Sequence, residues 1–159
     1  DGSTFPCTVR KILPLQSIVG FVPGTMFSVL YDPNDRENIV WNDNPDPERL
    51  FELTARYNAA RHPSDLTFEQ RLEIQKHGVE KKARLDDLRL TGREEAGDYE
   101  ATAVIRITDD ARGDIVAKRT LFLNEHQLNG LTVGKYIDVC ILPSNPDFFT
   151  IIQSVELHT

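Results

Sequence analysis

The sequence predicts a mainly β protein with an α-helical insertion: a small β-barrel of the OB or SH3-like kind, a related half-barrel, and a helical hairpin joining them. Three observations predict it. Apolar residues alternate with period two along the second half of the chain. The two ends match each other at one constant offset. The stretch between them carries helix caps and helical spacing instead. The boundaries that follow are residues 1–43 for the incomplete barrel module, 44–78 for the helical hairpin and 79–159 for the complete barrel module.

The offset is 110 positions, which carries Leu13 onto Leu123, Gly20 onto Gly130, Gly24 onto Gly134, Val29 onto Val139 and Pro33 onto Pro143 without a gap. Ile12 and Phe122, Phe27 and Ile137, Tyr31 and Ile141, and Ile39 and Phe149 coincide as apolar positions. These are turn glycines, a turn proline and one apolar face, where a shared backbone demands agreement.

Each copy reads as the same series of elements. Residues 5–13 and Ile115–Leu123 are expected to be extended, with β-branched and apolar residues in loose alternation. A linking stretch follows, residues 14–23 or 124–133, whose apolar spacing of three suits one helical or 3₁₀ turn. A glycine, Gly24 or Gly134, then supplies a positive φ or a tight corner. The clearest strand comes next, with Phe27, Val29 and Tyr31 on one face and Ile137, Val139 and Ile141 in the equivalent places. Proline ends it, in Asp32-Pro33-Asn34-Asp35 or Leu142-Pro143-Ser144-Asn145-Pro146. A last strand returns through Ile39 to Trp41, or Phe148 to Ile152.

The second copy has two more segments in front. Tyr99, Ala101, Ala103, Ile105 and Ile107 alternate with polar neighbours, and a turn through Asp109–Asp114 makes a hairpin with Ile115. Residues 82–90 read two ways. As a strand they need a bulge near Asp86-Asp87, because Ala83 and Leu85 alternate in one phase and Leu88 and Leu90 in the other. As a helix they have adequate propensity. The first copy lacks counterparts of these two strands. Three explanations stand: missing strands upstream in a longer chain, pairing of the half-barrel against the barrel, or completion by a second chain. The start at Asp1-Gly2 instead of Met agrees with the first.

Between the copies, Asp46 is expected to cap a helix with Pro47 at its first position and Leu50, Leu53, Thr54 and Tyr57 on its buried face. His62-Pro63 ends it. Thr67 and Gln70 form a capping box for a second helix through Phe68 and Leu72, and Gly78 stops it.

With 25 acidic and 18 basic residues the formal charge is −7, unlike a duplex-binding protein, which needs a basic face. No apolar run approaches the roughly 20 residues of a membrane-spanning helix. Cys7 and Cys140 lie in no metal-binding pattern, and they read as two buried free thiols more readily than as a disulfide. The compartment is therefore unassigned.

Gly24-Thr25-Met26-Phe27-Ser28-Val29-Leu30-Tyr31-Asp32-Pro33 resembles a signature of bacterial domains of unknown function, in which a strand enters from a glycine and ends in Tyr-Asp-Pro. Asp1-Gly2-Ser3-Thr4-Phe5-Pro6-Cys7 is similar to the hairpin those domains place before it, and the segment from His77-Gly78-Val79 to Gly134 and Pro143 resembles the same module. In the second copy Tyr-Asp-Pro has become Ile141-Leu142-Pro143. The resemblance implies small β-barrel modules, repeated in one chain or attached to membrane segments, and it implies no activity.

The chemical motifs are sparse. Asp32, Asn34, Asp35, Glu37 and Asn38 crowd oxygens into one turn, but Arg36 interrupts the alternation a calcium loop needs, so a polar turn is expected. His62, His77, His126 and His158 stand apart from one another, and no nucleophile elbow, phosphate loop or dinucleotide fingerprint occurs, so neither metal, cofactor nor catalytic residue is assigned. Lys81, Lys82, Arg84, Arg89 and Arg93 interleave with carboxylates, which makes nucleic acid an unfavoured partner. Trp41 reads either as core packed on the helical hairpin or as an anchor in a protein contact, with Tyr31 and Arg36 as companions. The expected function is a non-catalytic protein-interaction or scaffolding module whose partner is a protein, a second copy among the options. A barrel binding single-stranded nucleic acid or oligosaccharide is the alternative, and an enzyme is third.

Overall fold

The computed structural model describes residues 5–14, 21 and 25–152. Strands β1 (Val29–Asp32) and β2 (Asp35–Trp41) precede helices α1 (Pro47–Arg61) and α2 (Phe68–His77). Strands β3 (Val79–Glu95), β4 (Asp98–Ile107) and β5 (Ile115–Leu123), the short helix α3 (Glu125–Gly130), and strands β6 (Tyr136–Leu142) and β7 (Asn145–Ile152) follow. β1 and β2 form a two-stranded sheet, and the other strands form a five-stranded antiparallel sheet in the order β5-β4-β3-β6-β7.

The larger sheet is a nearly closed barrel, and its longest strand explains the curvature. Seventeen residues in β3 would span about 56 Å if flat, far more than its neighbours offer. Its first half pairs with β6, from Val79↔Ile141 to Arg84↔Tyr136, and its second half pairs with β4, from Arg84↔Arg106 to Glu95↔Asp98. Residues 82–90 are thus strand, and the bulge falls where the apolar phase changes. Leu85 opposes Ile105 and Asp87 opposes Val104, leaving Asp86 as the extra residue. Arg84 and Arg106 both bond the Asp86 carboxylate and hold it below the usual carboxylate range, the Arg84 hydrogen bond contributing most.

Inward residues of every strand fill the barrel. Ala83, Leu85, Ala101, Ala103, Ile105, Ile107, Ala117, Leu121, Leu123, Val139, Ile141 and Phe149 form one buried cluster, and Leu128 and Leu131 close over it from α3 and the loop beyond. β5 and β7 meet without a ladder: the Lys118 N–H donates to Asp147 Oδ1 at 2.9 Å, and Arg119 donates to the Phe149 carbonyl. α2 covers the outside of β6, where Leu66, Ile74 and Leu142 form a second small core with Cys140 and Phe148. Both cysteines are free as expected, but neither is fully buried: Cys7 is exposed, and Cys140 is half-buried, where desolvation raises its thiol above the ordinary value. No helix among the described residues is long and apolar enough to cross a membrane.

Helix caps fall where the sequence places them. Asp46 accepts from the Glu48 and Arg49 N–H groups, and Thr67 and Gln70 form the reciprocal box. The buried face of α1 is rotated from the expected one, of which Leu50 and Thr54 are half-buried. Leu53 and Tyr57 are exposed, whereas Ala55 is buried and Asn58 and Ala59 half-buried, leading to His62. That alternative stripe has the same helical spacing.

Asn124 caps α3, and Gly134 has φ of 88°, as its place in the sequence requires. The segment from 15 to 20, Gly24 and the tail from 153 lie outside the described residues.

Two corrections concern the first copy. Residues 5–14 form no strand. β5 is a strand because β4 pairs along its whole length, Tyr99↔Leu123 to Ile107↔Ile115. No described strand offers residues 5–14 such a ladder. Among the described residues the first copy is therefore represented by the β1–β2 hairpin alone. That hairpin follows the offset closely. Its pairs Val29↔Trp41, Leu30↔Val40, Tyr31↔Ile39 and Asp32↔Asp35 each have the 110-shifted pair in β6–β7: Val139↔Ile151, Cys140↔Thr150, Ile141↔Phe149 and Leu142↔Asn145. The ladder shifts at the same step in both, before Asp32 and before Leu142.

The β3–β4 turn carries strain. Ala96 has φ of 53° and Gly97 of 82° between the paired Glu95 and Asp98. A two-residue turn with both φ positive suits Asn-Gly, and an alanine there costs about 1–2 kcal/mol. Ala96→Asn is expected to raise the urea midpoint, by about 0.5–1 kcal/mol in stability. An unchanged midpoint would show that the alanine is not strained.

Candidate functional site

The sequence-predicted residues sit on the β1–β2 hairpin. Tyr31 and Arg36 come together through Phe5: the Phe5 and Tyr31 rings meet edge-on at 5.5 Å, and the Arg36 guanidinium lies 4.9 Å from the Phe5 centroid. Trp41 is at the other end of the ladder. It stacks on Phe27 at 4.7 Å and tilts against Phe21 at 5.4 Å, with the Lys11 ammonium 5.3 Å away. Trp41 is thus packed, but within its own aromatic cluster rather than on the helical hairpin. Asp32 Oδ1 accepts from the Asn34 N–H and Asp35 Oδ1 from the Glu37 N–H, so the acidic turn uses these oxygens to hold its own backbone.

One side of this hairpin is partly covered by aromatic rings, with Tyr31 still 49% exposed, and the other is open. Val29, Tyr31, Ile39 and Trp41 share the side on which Phe5 and Phe27 lie. Leu30 and Val40 are paired on the opposite side and are 55% and 53% exposed.

A second site arises where α1 ends against the barrel, and the sequence analysis did not single it out. His62 caps α1, and its N–H donates to the Asn58 carbonyl. The ring is 6% exposed and lies flat on Phe122, with centroids 4.4 Å apart and planes at 4°. Nε2 is 2.8 Å from Asp98 Oδ2. A carboxylate only accepts, so Nε2 bears the proton and donates. Arg61 donates to both oxygens of Asp98 and to the Ala96 carbonyl. Its guanidinium pKa is raised, chiefly by the hydrogen bond with Tyr57 and then by Asp98.

Three residues further on, Asp65 donates its N–H to the His62 carbonyl, and its carboxylate is shared by Arg71 of α2 and Arg119 of β5. Both cations are largely buried, and desolvation lowers the Arg71 pKa from its ordinary value. Between these groups lies a cavity of about 900 Å³, lined by His62, Arg71, Arg119, Phe122, Gln127 and Thr150 among others. Among the described residues no cluster of His, Cys, Asp and Glu has the arrangement to hold a metal ion.

Four of the five basic residues of β3 lie against carboxylates: Lys82 on Asp138, Arg84 on Asp86, Arg89 on Asp87, and Arg93 on Glu95 and Glu100. Comparison with known proteins finds no matching family model, no matching curated protein and no matching solved structure.

Proposed function

We propose that this chain is a non-catalytic protein-interaction module and that the β1–β2 hairpin joins it to a second copy of itself. The observation that carries the reading is the exposed Leu30–Val40 pair on a sheet of only two strands. Sheets this small are marginal in water, and open strand edges are templates for pairing.

The register supports an edge-to-edge contact. In the 110-shifted hairpin, the edge of β6 away from β7 is taken by β3. We read the two hairpins as copies of one element, so the same edge of β1 is built for pairing. Among the described residues it has no strand partner. β1 reads Val-Leu-Tyr-Asp. Two such strands laid antiparallel across a two-fold axis set one residue opposite its own copy; with Leu30 there, Asp32 of each copy faces Ser28 of the other, with no like charges facing. The resemblance to repeated bacterial barrel modules agrees with an assembly role.

Light scattering across a concentration series tests this. A dimer is expected for the native chain and a monomer for the Leu30→Lys, Val40→Lys double variant, with unchanged circular dichroism. A native chain that stays monomeric at its highest attainable concentration, with no cross-linked dimer, overturns the reading. So does a double variant that still dimerises.

A further inference from the structure

We propose that the first copy takes up a β-hairpin of another polypeptide, patterned like β3–β4, and that this hairpin competes with self-association. The proposal rests on the reading of β1 as a pairing edge. What carries it is the presence of both copies, one covered and one open, in a single molecule.

The β6–β7 hairpin shows what covers such an element. Its β6 edge is paired with β3, from Val79↔Ile141 to Arg84↔Tyr136. Its residues Val139, Ile141 and Phe149 are buried in one cluster with Ala83 and Leu85 of β3 and with Ala101, Ala103, Ile105 and Ile107 of β4. The 110-shifted residues Val29, Tyr31 and Ile39 hold the same ladder positions without that cover. Tyr31 is 49% exposed where Ile141 is 4% exposed. Covering this face removes apolar surface from water, which supplies the driving force.

Residues 5–13 show a second vacancy. They are the 110-shifted counterparts of β5, which β4 pairs along its whole length. β5 meets β7 without a ladder, through bonds of the Asp147 and Arg119 side chains. Residues 5–13 keep side-chain contacts with their own hairpin: Phe5 meets Tyr31 and Arg36, and Lys11 meets Trp41 and Asp43. They lie beside it and lack the neighbouring strand that would make them one. Among the described residues no strand pairs at either place.

In the barrel a single element fills both places. β3 takes the β6 edge, β4 takes β5, and the turn at Ala96-Gly97 joins them. One β-hairpin therefore suffices for the first copy. The β3–β4 hairpin of this chain is committed to its own core, and that of a second copy equally so, which leaves a different polypeptide as the source. Small apolar residues on its inward side, like Ala101 and Ala103, suit a face where Tyr31 and Trp41 stand in place of Ile141 and Ile151. Main-chain pairing supplies affinity and the inward residues supply selectivity. Because the hairpin uses the β1 edge, it displaces a second copy from it.

The probe is a labelled synthetic peptide of residues 79–107 with a solubilising tail. It is titrated into the native chain, diluted below self-association, and into the Leu30→Lys, Val40→Lys variant, whose substitutions lie on the other side of the hairpin. Saturable binding to both is expected, with amide protection in residues 5–13 and 29–32 rising roughly tenfold or more. A peptide of residues 79–95 fills one place only and should bind at least about tenfold more weakly. Tyr31→Asp, on the inward side, should weaken binding by a similar factor. No binding to the native chain overturns the proposal. So does protection confined to the second barrel, the mark of exchange with its own β3–β4, and so does equal binding of the shorter peptide. The two readings fail separately. A native chain that binds the peptide but never dimerises refutes self-association and supports the hairpin site. A dimeric chain that neither binds the peptide nor dissociates in its presence refutes the hairpin site alone.

Discussion

Replacing Asp65 with alanine is expected to cost about 3–5 kcal/mol, because it strands two buried cations. The Asp65 side chain is 7% exposed, and Arg71 and Arg119 are 14% and 9% exposed at theirs. Among the described residues neither has another carboxylate partner; Arg71 would keep a bond to the Leu66 carbonyl and Arg119 one to that of Phe149. The loss is larger than for any surface pair such as Arg49–Glu52, where water replaces the missing partner. At roughly 2–4 °C per kcal/mol for a chain of this size, the melting point should fall by at least 6 °C. Asp65→Asn should lose less, since the amide oxygen still accepts. Equal melting points for Asp65→Ala and the native chain would mean that the two arginines reach solvent. The location explains why the effect is global: Asp65 ties the α1–α2 turn to β5 through Arg119, and Arg119 in turn ties β5 to β7.

Sequence reasoning finds local devices well and distant meetings poorly, and particular residues show why. The caps at Asp46, Thr67 and Asn124 depend on residues within three positions, so their chemistry is visible in a short window. The Asp86 bulge is visible because a one-residue insertion reverses the apolar phase of a strand. The expected strand over residues 5–13 fails for the opposite reason: a strand needs a partner, and no property of its own residues supplies one. His62 and Asp98 are 36 positions apart and meet only because the α1 terminus lands on the β3–β4 turn. One signal was present and unused. On β5 the inward positions are Ile115, Ala117, Arg119, Leu121 and Leu123, and an arginine at the centre of an apolar series marks a buried charge in need of a partner. That parity, read along Ile115–Leu123, leads to Asp65 and to the cavity.

Phe149→Ala is expected to destabilise the barrel by about 3–5 kcal/mol, whereas Ile39→Ala, at the 110-shifted position, should cost the barrel nothing measurable. Both residues oppose equivalent partners in their ladders, Ile141 and Tyr31. Their surroundings decide the difference. Phe149 is fully buried in the main core, with the Arg119 guanidinium 6.0 Å from its ring. Truncating it opens a void that rigid strands on all sides cannot fill. Ile39 is half-buried on a two-stranded sheet that shares no ladder with the barrel. Its loss is confined to the β1–β2 hairpin. Denaturation followed through amide exchange on β4 and β5 reads the barrel separately from the hairpin. Matched losses of protection in the two variants would mean that the hairpin and barrel unfold as one unit, and that the exposed Leu30–Val40 side is not free to open and pair on its own.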